Sequence, residues 1–239
     1  MSLAGRHVSA LVLAAGRGER FGRDTAKQFL DLAGRPVVSH SVDSMRASDL
    51  VDSIVVVVPA NRPSWIESEL PGPKVCSVVE GGAVRQASLA EGIVCLPDET
   101  EVVVVHDAAR PLAGIGLLER VLAGLDATVD GSVPALPIDD AVKEVSGDGL
   151  ILSNRPREGI WRVQTPQAFD RSALEESLDW ADAQGLVCDD CSEMLVRNGR
   201  QVRVVMGDPR NLKLTTREDF AFCEALIRGR TGPGEASAG

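Results

Sequence analysis

Tyrosine is absent from this 239-residue chain, and all aromatic side chains together make up 3% of it. Proteins that bind single-stranded nucleic acid stack bases on such side chains, so that class is disfavoured. Positive charge is also scarce. Lys plus Arg number 25 against 35 Asp plus Glu, a net charge of −10, which speaks against a long groove for a phosphate backbone and leaves a small anionic ligand open. Long apolar runs are missing. No stretch of about 20 apolar residues occurs, and Val8–Ala15 is broken by Ser9 and followed at once by charge, too short for a secretory signal core. A cytoplasmic protein that avoids membranes is the expectation.

Histidines number three and cysteines five, an odd and scattered set of the kind found where thiols stay reduced. Cys188 and Cys191 form one CxxC pair. With no second pair and the histidines remote, they read as ordinary thiols rather than as a metal or redox site.

The body of the chain is ordinary globular material, 44% hydrophobic and 25% charged, and long enough for a substantial core. Apolar runs alternate with helical patterns: strands at Val8–Ala14, Ile54–Val58, Val102–Val105 and Gly131–Leu136, helices at Val37–Met45, Ser88–Cys95 and Leu117–Leu125. The runs SIVVVV and EVVVVH are almost wholly β-branched, which suits strands buried on both faces. The pattern predicts an α/β fold, a mostly parallel sheet with helices on both faces. Between Pro137 and Arg162 the rhythm changes to brief alternating pieces, AVKEVS and GLILSN, separated by Pro, Gly and Asn. This predicts an antiparallel hairpin projecting from the sheet as a pairing arm. Helices at Ser172–Gln184, Asp190–Asn198 and Thr216–Arg228 and a strand at Gln201–Met206 complete one domain over residues 1–230, and the small polar residues 231–239 read as a disordered tail.

Two segments carry chemistry. In LVLAAGRGERFGRDTAKQF, residues 11–29, a strand runs into a glycine-rich loop bearing Arg17, Arg20 and Lys27. Backbone N–H groups of such a loop can approach phosphate oxygens, and the cations can neutralise charge on a reacting phosphorus. It is no Walker A loop, and Gly22 falls one residue late for a dinucleotide fingerprint. In VVVVHDAARP, residues 102–111, Asp107 stands at the carboxyl end of a buried strand, where open α/β sheets bind ligands. It can take a divalent cation or a ribose hydroxyl, or cap a helix, and Arg110 can meet a phosphate.

With LAAGRGERFG, Lys27-Gln28-Phe29, GGAVRQAS, HDAARP, QTPQAF and NLKLTT in order along nearly the whole chain, the sequence resembles the 2-C-methyl-D-erythritol 4-phosphate cytidylyltransferase family of the non-mevalonate isoprenoid pathway. The resemblance implies a Rossmann-like nucleotidyltransferase sheet and a magnesium-dependent homodimer. It further implies that CTP and a methylerythritol phosphate give a CDP-linked product and pyrophosphate. By the same likeness Arg20 and Lys27 would stabilise the transition state at the α-phosphorus, and Arg157 and Lys213 would hold the acceptor phosphate. The cytidine would lie near Ala14, Ala15, Gly16, Gly18, Gly82 and Ser88. Asp107 would sit near the ribose, the metal or the acceptor, and Arg110, Thr165 and Asp189 would serve the substrate. Arg155, two residues before Arg157, could exchange with it through a slip of register.

The chain departs from the family pattern where Ala141 and Cys188 stand in place of threonines, both on the acceptor side. A cytidylyltransferase for another polyol phosphate such as ribitol 5-phosphate is therefore the neighbouring alternative. A catalytically silent nucleotide-binding subunit is the alternative of another class, opposed by the retained cations.

Overall fold

The computed structural model describes residues 5–16 and 26–230, the side chain of Arg230 excepted. Within them the first strand, β1 (His7–Leu13), is followed by a 3-10 turn at Lys27–Phe29 and a small ribbon of β2 (Asp31–Leu32) with β3 (Arg35–Pro36). Next come α1 (Val37–Arg46), β4 (Ser53–Val58), α2 (Ile66–Glu69), β5 (Val75–Glu80), α3 (Arg85–Val94), β6 (Thr100–Asp107) and α4 (Ile115–Ala123). The second half runs β7 (Gly131–Pro137), β8 (Val142–Val145), β9 (Ile151–Arg155), β10 (Trp161–Val163), β11 (Gln167–Asp170), α5 (Arg171–Ala183), α6 (Cys191–Arg197), β12 (Val202–Met206) and α7 (Arg217–Arg230).

Eight strands form one sheet in the order β10-β7-β11-β6-β1-β4-β5, with β12 on the free side of β7. The pairings among β5, β4, β1 and β6 and between β12 and β7 are parallel; β11 and β10 run antiparallel to their neighbours. The expected mostly parallel sheet is present, and its mixed edge lies where the alternating pattern gave way.

Period-two alternation explains the layers. In register, Ala10 lies beside Ile54 and Val104, and Leu11 beside Val55 and Val105. The first set faces a core closed by α1 and α4 through Val38, Val42, Met45, Leu118, Val121 and Leu122. The second faces α3, α5 and α6 through Leu89, Ile93, Leu174, Leu178, Met194 and Leu195. Every residue of β4 is buried, which is why SIVVVV carries no polar face. Helix α7 belongs to a third cluster, in which Leu32, Val37, Leu112, Leu214 and Cys223 pack together.

Strands β8 and β9 form a separate two-stranded ribbon within the predicted 137–162 segment. Their apolar side chains face outward: Leu150, Ile151 and Leu152 are each more than 60% exposed. Three elements of the sheet escaped the sequence reading, namely β5, β10 and β11. The segment Asn211–Thr215 belongs to no strand; the Leu214 N–H is bonded to the Ala109 carbonyl at 2.8 Å. The tail 231–239 lies outside the described residues, as do Gly18 and Arg20 of the glycine-rich loop.

Candidate active site

The carboxyl ends of β1, β4, β5 and β6 lie along one edge of the sheet, and the backbone turns there into a cleft of about 1150 Å³. Its wall takes Ala14, Ala15 and Gly16 from β1, Pro59–Pro63 from β4, Gly81–Arg85 from β5 and Asp107–Ala109 from β6, closed by Lys27, Lys213 and Thr215. This is the edge at which open α/β sheets bind their ligands. Close backbone packing sets its floor. A Cβ on Gly81 would lie 2.5 Å from the Ala15 Cβ and 2.7 Å from the Ser88 hydroxyl, so only glycine fits between these two loops.

Gln28 anchors the returning end of the glycine-rich loop. Its buried amide donates to the Ala14 carbonyl at 2.5 Å and the Gly16 carbonyl at 2.8 Å, which fixes Lys27 over the cleft. The Lys27 ammonium donates to the Leu214 carbonyl at 2.5 Å, bringing it beside the segment that carries Lys213 from the far end of the chain. Ser88, on the first turn of α3, donates to the Val84 carbonyl at 3.0 Å and contributes to the cleft wall.

Asp107 is the electrostatic centre. Its Oδ2 accepts from Lys213 Nζ at 2.7 Å, and its Oδ1 accepts from Arg85 Nε and Nη2, both at 3.3 Å. Burial works to raise the carboxyl pKa, but Arg85 and Lys213 outweigh it and hold the group well below the usual carboxylate range. Among the described residues the cleft is lined by four cations, Lys27, Arg62, Arg85 and Lys213, and by one carboxylate, Asp107. In a chain of net charge −10 this is a local reversal of sign, suited to a polyphosphate. Sequence reasoning missed two of these cations, Arg62, which pairs with Glu67, and, at the centre, Arg85. Arg85 stands within GGAVRQAS, but only the return of α3 across β1 and β4 brings it to Asp107.

Behind the wall lies a buried frame built from the same motifs. The His106 Nε2 is 3.2 Å from the Arg110 carbonyl, which can only accept, so this nitrogen carries the proton. Its Nδ1 therefore accepts from the Thr165 hydroxyl at 3.1 Å, and Thr165 Oγ1 accepts the Asp107 N–H at 3.0 Å. The Arg110 guanidinium donates to the Asn211 carbonyl at 2.8 Å, and Asn211 Nδ2 donates to the Thr165 carbonyl at 2.8 Å. HDAARP, QTPQ and NLKL thus interlock, and together they seat Asp107 and Lys213. Arg110 and Thr165, expected at the substrate, are buried in this frame and do not contribute to the cleft wall.

Burial lowers the His106 pKa to about 4, with Arg110 acting in the same direction and Asp107 opposing. The unfolded imidazole takes up its proton near 6.5, so between these values the unfolded chain binds more protons and stability falls as pH falls. The expected loss is about 3 kcal/mol between pH 7 and pH 4. Thermal melts across that range in the wild type and in His106→Asn check it, the variant showing a flatter dependence.

The remaining expected residues that the structure describes lie apart from the cleft. Arg157 follows β9, is exposed and donates to the Asp139 carbonyl, whereas Arg155 pairs with Glu144 at 2.7 Å. Ala141 is exposed beside β8, Cys188 is buried in the apolar layer under α5 and α6, and Asp189 is exposed with its N–H bonded to Glu193 at 2.8 Å. Gly18 and Arg20 lie outside the described residues.

A mostly parallel α/β sheet whose carboxyl edge holds a glycine-walled cationic cleft, with one carboxylate among the described residues, is the architecture of a nucleotide-binding protein of the nucleotidyltransferase class. The sequence model of the family described as 2-C-methyl-D-erythritol 4-phosphate cytidylyltransferase matches residues 8–229. The chain belongs to that family and is a nucleotidyltransferase enzyme. Among its relatives, the 2-C-methyl-D-erythritol 4-phosphate cytidylyltransferase of Pelotomaculum thermopropionicum is 39% identical over 94% of this chain and 96% of its own. That of Symbiobacterium thermophilum is 40% identical over 92% of each. The crystal structure of the Thermus thermophilus cytidylyltransferase aligns with a TM-score of 0.77 at 31% identity, covering 93% of this chain and 99% of the other. That of 4-diphosphocytidyl-2C-methyl-D-erythritol synthase from Anaerococcus prevotii gives 0.81 at 27%, covering 94% and 99%.

Proposed function

We propose that this chain transfers CMP from CTP to 2-C-methyl-D-erythritol 4-phosphate, releasing pyrophosphate and forming 4-diphosphocytidyl-2-C-methyl-D-erythritol. The observation that carries the reading is the convergence of Lys27, Lys213 and Arg85 on one cleft around Asp107. A phosphate oxygen of the acceptor attacks the α-phosphorus, the bond to pyrophosphate breaks, and the electron pair leaves with the pyrophosphate. The attacking group is already an anion, so no base has to remove a proton. What the protein must supply is alignment and neutralisation of charge.

In this reading the cytidine rests against Ala14, Ala15, Gly16, Gly18, Gly82 and Ser88, and Arg20 and Lys27 neutralise the reacting phosphorus. Lys213 and Arg157 hold the acceptor phosphate, and Asp189 lies on the acceptor side. Arg110 and Thr165 serve through the buried frame. The donor set also suits magnesium, which commonly takes one or two carboxylates together with phosphate oxygens. Asp107 would hold it, and the ion would supply shielding of the polyphosphate charge.

The chain is read as one domain whose 137–162 arm meets a second copy. Leu150, Ile151, Leu152 and Trp161 leave apolar surface exposed there, and Arg157 sits on the same arm, so each site would be completed by the neighbour's arm. If so, mixing inactive Lys27→Ala and Arg157→Ala proteins restores activity. Free exchange into symmetric dimers leaves about a quarter of all sites intact, and a mixture as inactive as its parts contradicts the shared site. All five cysteines are unpaired, in keeping with a cytoplasmic setting.

The proposed reaction is tested by pyrophosphate release from CTP and magnesium with methylerythritol 4-phosphate, with ribitol 5-phosphate and with no acceptor. Release with methylerythritol phosphate alone is expected. Release only with ribitol phosphate would turn Ala141 and Cys188 into the determinants of a different acceptor.

A further inference from the structure

One contact of the cleft is made by sulfur. Cys191, the first residue of α6, is fully buried, and its Sγ accepts an N–H from Arg85 Nη1 at 3.4 Å. The other edge of the same guanidinium, Nε and Nη2, faces Asp107, whose second oxygen takes Lys213. Arg85 is thus gripped from both sides, by a carboxylate in the cleft and a sulfur behind it. Burial raises the Cys191 pKa more than Arg85 lowers it, so at neutral pH the sulfur is a thiol and accepts through a lone pair.

The sulfur is placed independently of Arg85. Asp190 caps α6 by accepting the Glu193 N–H at 2.9 Å through Oδ1, and its Oδ2 accepts Gln167 Nε2 at 2.9 Å, which ties the start of α6 to β11. Cys191 itself packs in the layer that holds Met194, Leu195 and Leu178. A long, flexible arginine chain is ordered only by what holds its head. Without the sulfur, Nη1 has no partner on that side, and the guanidinium is free to turn away from Asp107.

We propose that Cys191 is a positioning residue: its sulfur holds Arg85 in the orientation in which Arg85 and Lys213 share Asp107, and so sets how tightly the acceptor phosphate is bound. This rests on the cytidylyl-transfer reading above.

The test compares wild type, Cys191→Ala, Cys191→Ser, Arg85→Ala and the Cys191→Ala/Arg85→Ala double variant. Cys191→Ala is expected to raise the KM for methylerythritol phosphate about fivefold with kcat nearly unchanged, the loss of one modest hydrogen bond. Cys191→Ser, whose hydroxyl can accept the same N–H, restores most of the affinity. In the Arg85→Ala background the cysteine substitution adds nothing, because the group it positions is gone. An unchanged KM in Cys191→Ala, a loss that adds fully to that of Arg85→Ala, or a fall in kcat and melting temperature with KM unmoved would overturn the proposal. Absence of turnover by the wild type would count against the reaction instead. The same five proteins are then compared by calorimetric binding of methylerythritol 4-phosphate, where the same pattern supports the positioning role and equal affinities overturn it.

Discussion

Lys27→Ala is expected to lower kcat by about two to three orders of magnitude, the effect of removing one preorganised donor from a developing charge, while the circular dichroism spectrum stays that of the wild type. Lys27 is delivered to the cleft by the 3-10 turn at Lys27–Phe29 and by the two carbonyl bonds of Gln28, and its ammonium lies within 2.5 Å of the Leu214 carbonyl beside Lys213. Nothing in the two main apolar layers depends on it, so the fold should persist. Steady-state kinetics with circular dichroism check this, and near-normal turnover on an unchanged fold would remove Lys27 from the mechanism.

Asp107→Asn is expected to be comparably damaging to catalysis and more damaging to stability. The carboxylate is 13% exposed and holds Arg85 and Lys213 together. Exchanging it for a neutral amide leaves two cations facing each other across a part-buried site, and breaking such a pair costs about 3 kcal/mol. Turnover should fall at least a hundredfold, and the melting temperature should drop measurably. The low pKa of Asp107 also has a sign. Its stabilisation is fully present above the ordinary carboxylate range and is lost only as pH falls through its own, depressed value. Over pH 4 to 7 the wild-type slope therefore comes from His106 and other groups, and Asp107→Asn should shift the melting curve by a nearly constant amount across that range. A variant as stable and as active as wild type would dissolve the electrostatic centre described here.

The frame of the fold was legible because its strands carry their own evidence. The valine runs of SIVVVV and EVVVVH are buried on both faces and wholly β-branched, so sequence and burial say the same thing. Strand β5 was not legible, since VCSVVE sits at the sheet edge, half buried, with Cys and Ser diluting its pattern. Strand β11 is four residues long and lies directly behind Pro166; it exists because β6 and β7 leave a slot for it. The NLKLT segment is held by Arg110 and Gln164, side-chain partners that no periodicity reveals.

The site was legible as motifs and not as geometry. Lys27, Lys213 and Asp107 could be named from the sequence, but nothing in their spacing says that they meet. Arg85 escaped because its partners Asp107 and Cys191 lie 22 and 106 residues away. Arg110 and Thr165 illustrate the reverse. Their motifs mark them as important, yet hydrogen bonding places them in the frame behind the cleft, where they seat the residues that face it.

That this cationic cleft joins CMP to a polyol phosphate is tested by phosphorus NMR of CTP, magnesium and methylerythritol 4-phosphate incubated with the enzyme. The CTP and phosphomonoester signals are expected to decline together while pyrophosphate and a CDP-type diphosphate appear in equal amounts. CTP left intact, or converted to CMP and pyrophosphate with the phosphomonoester untouched, would contradict it.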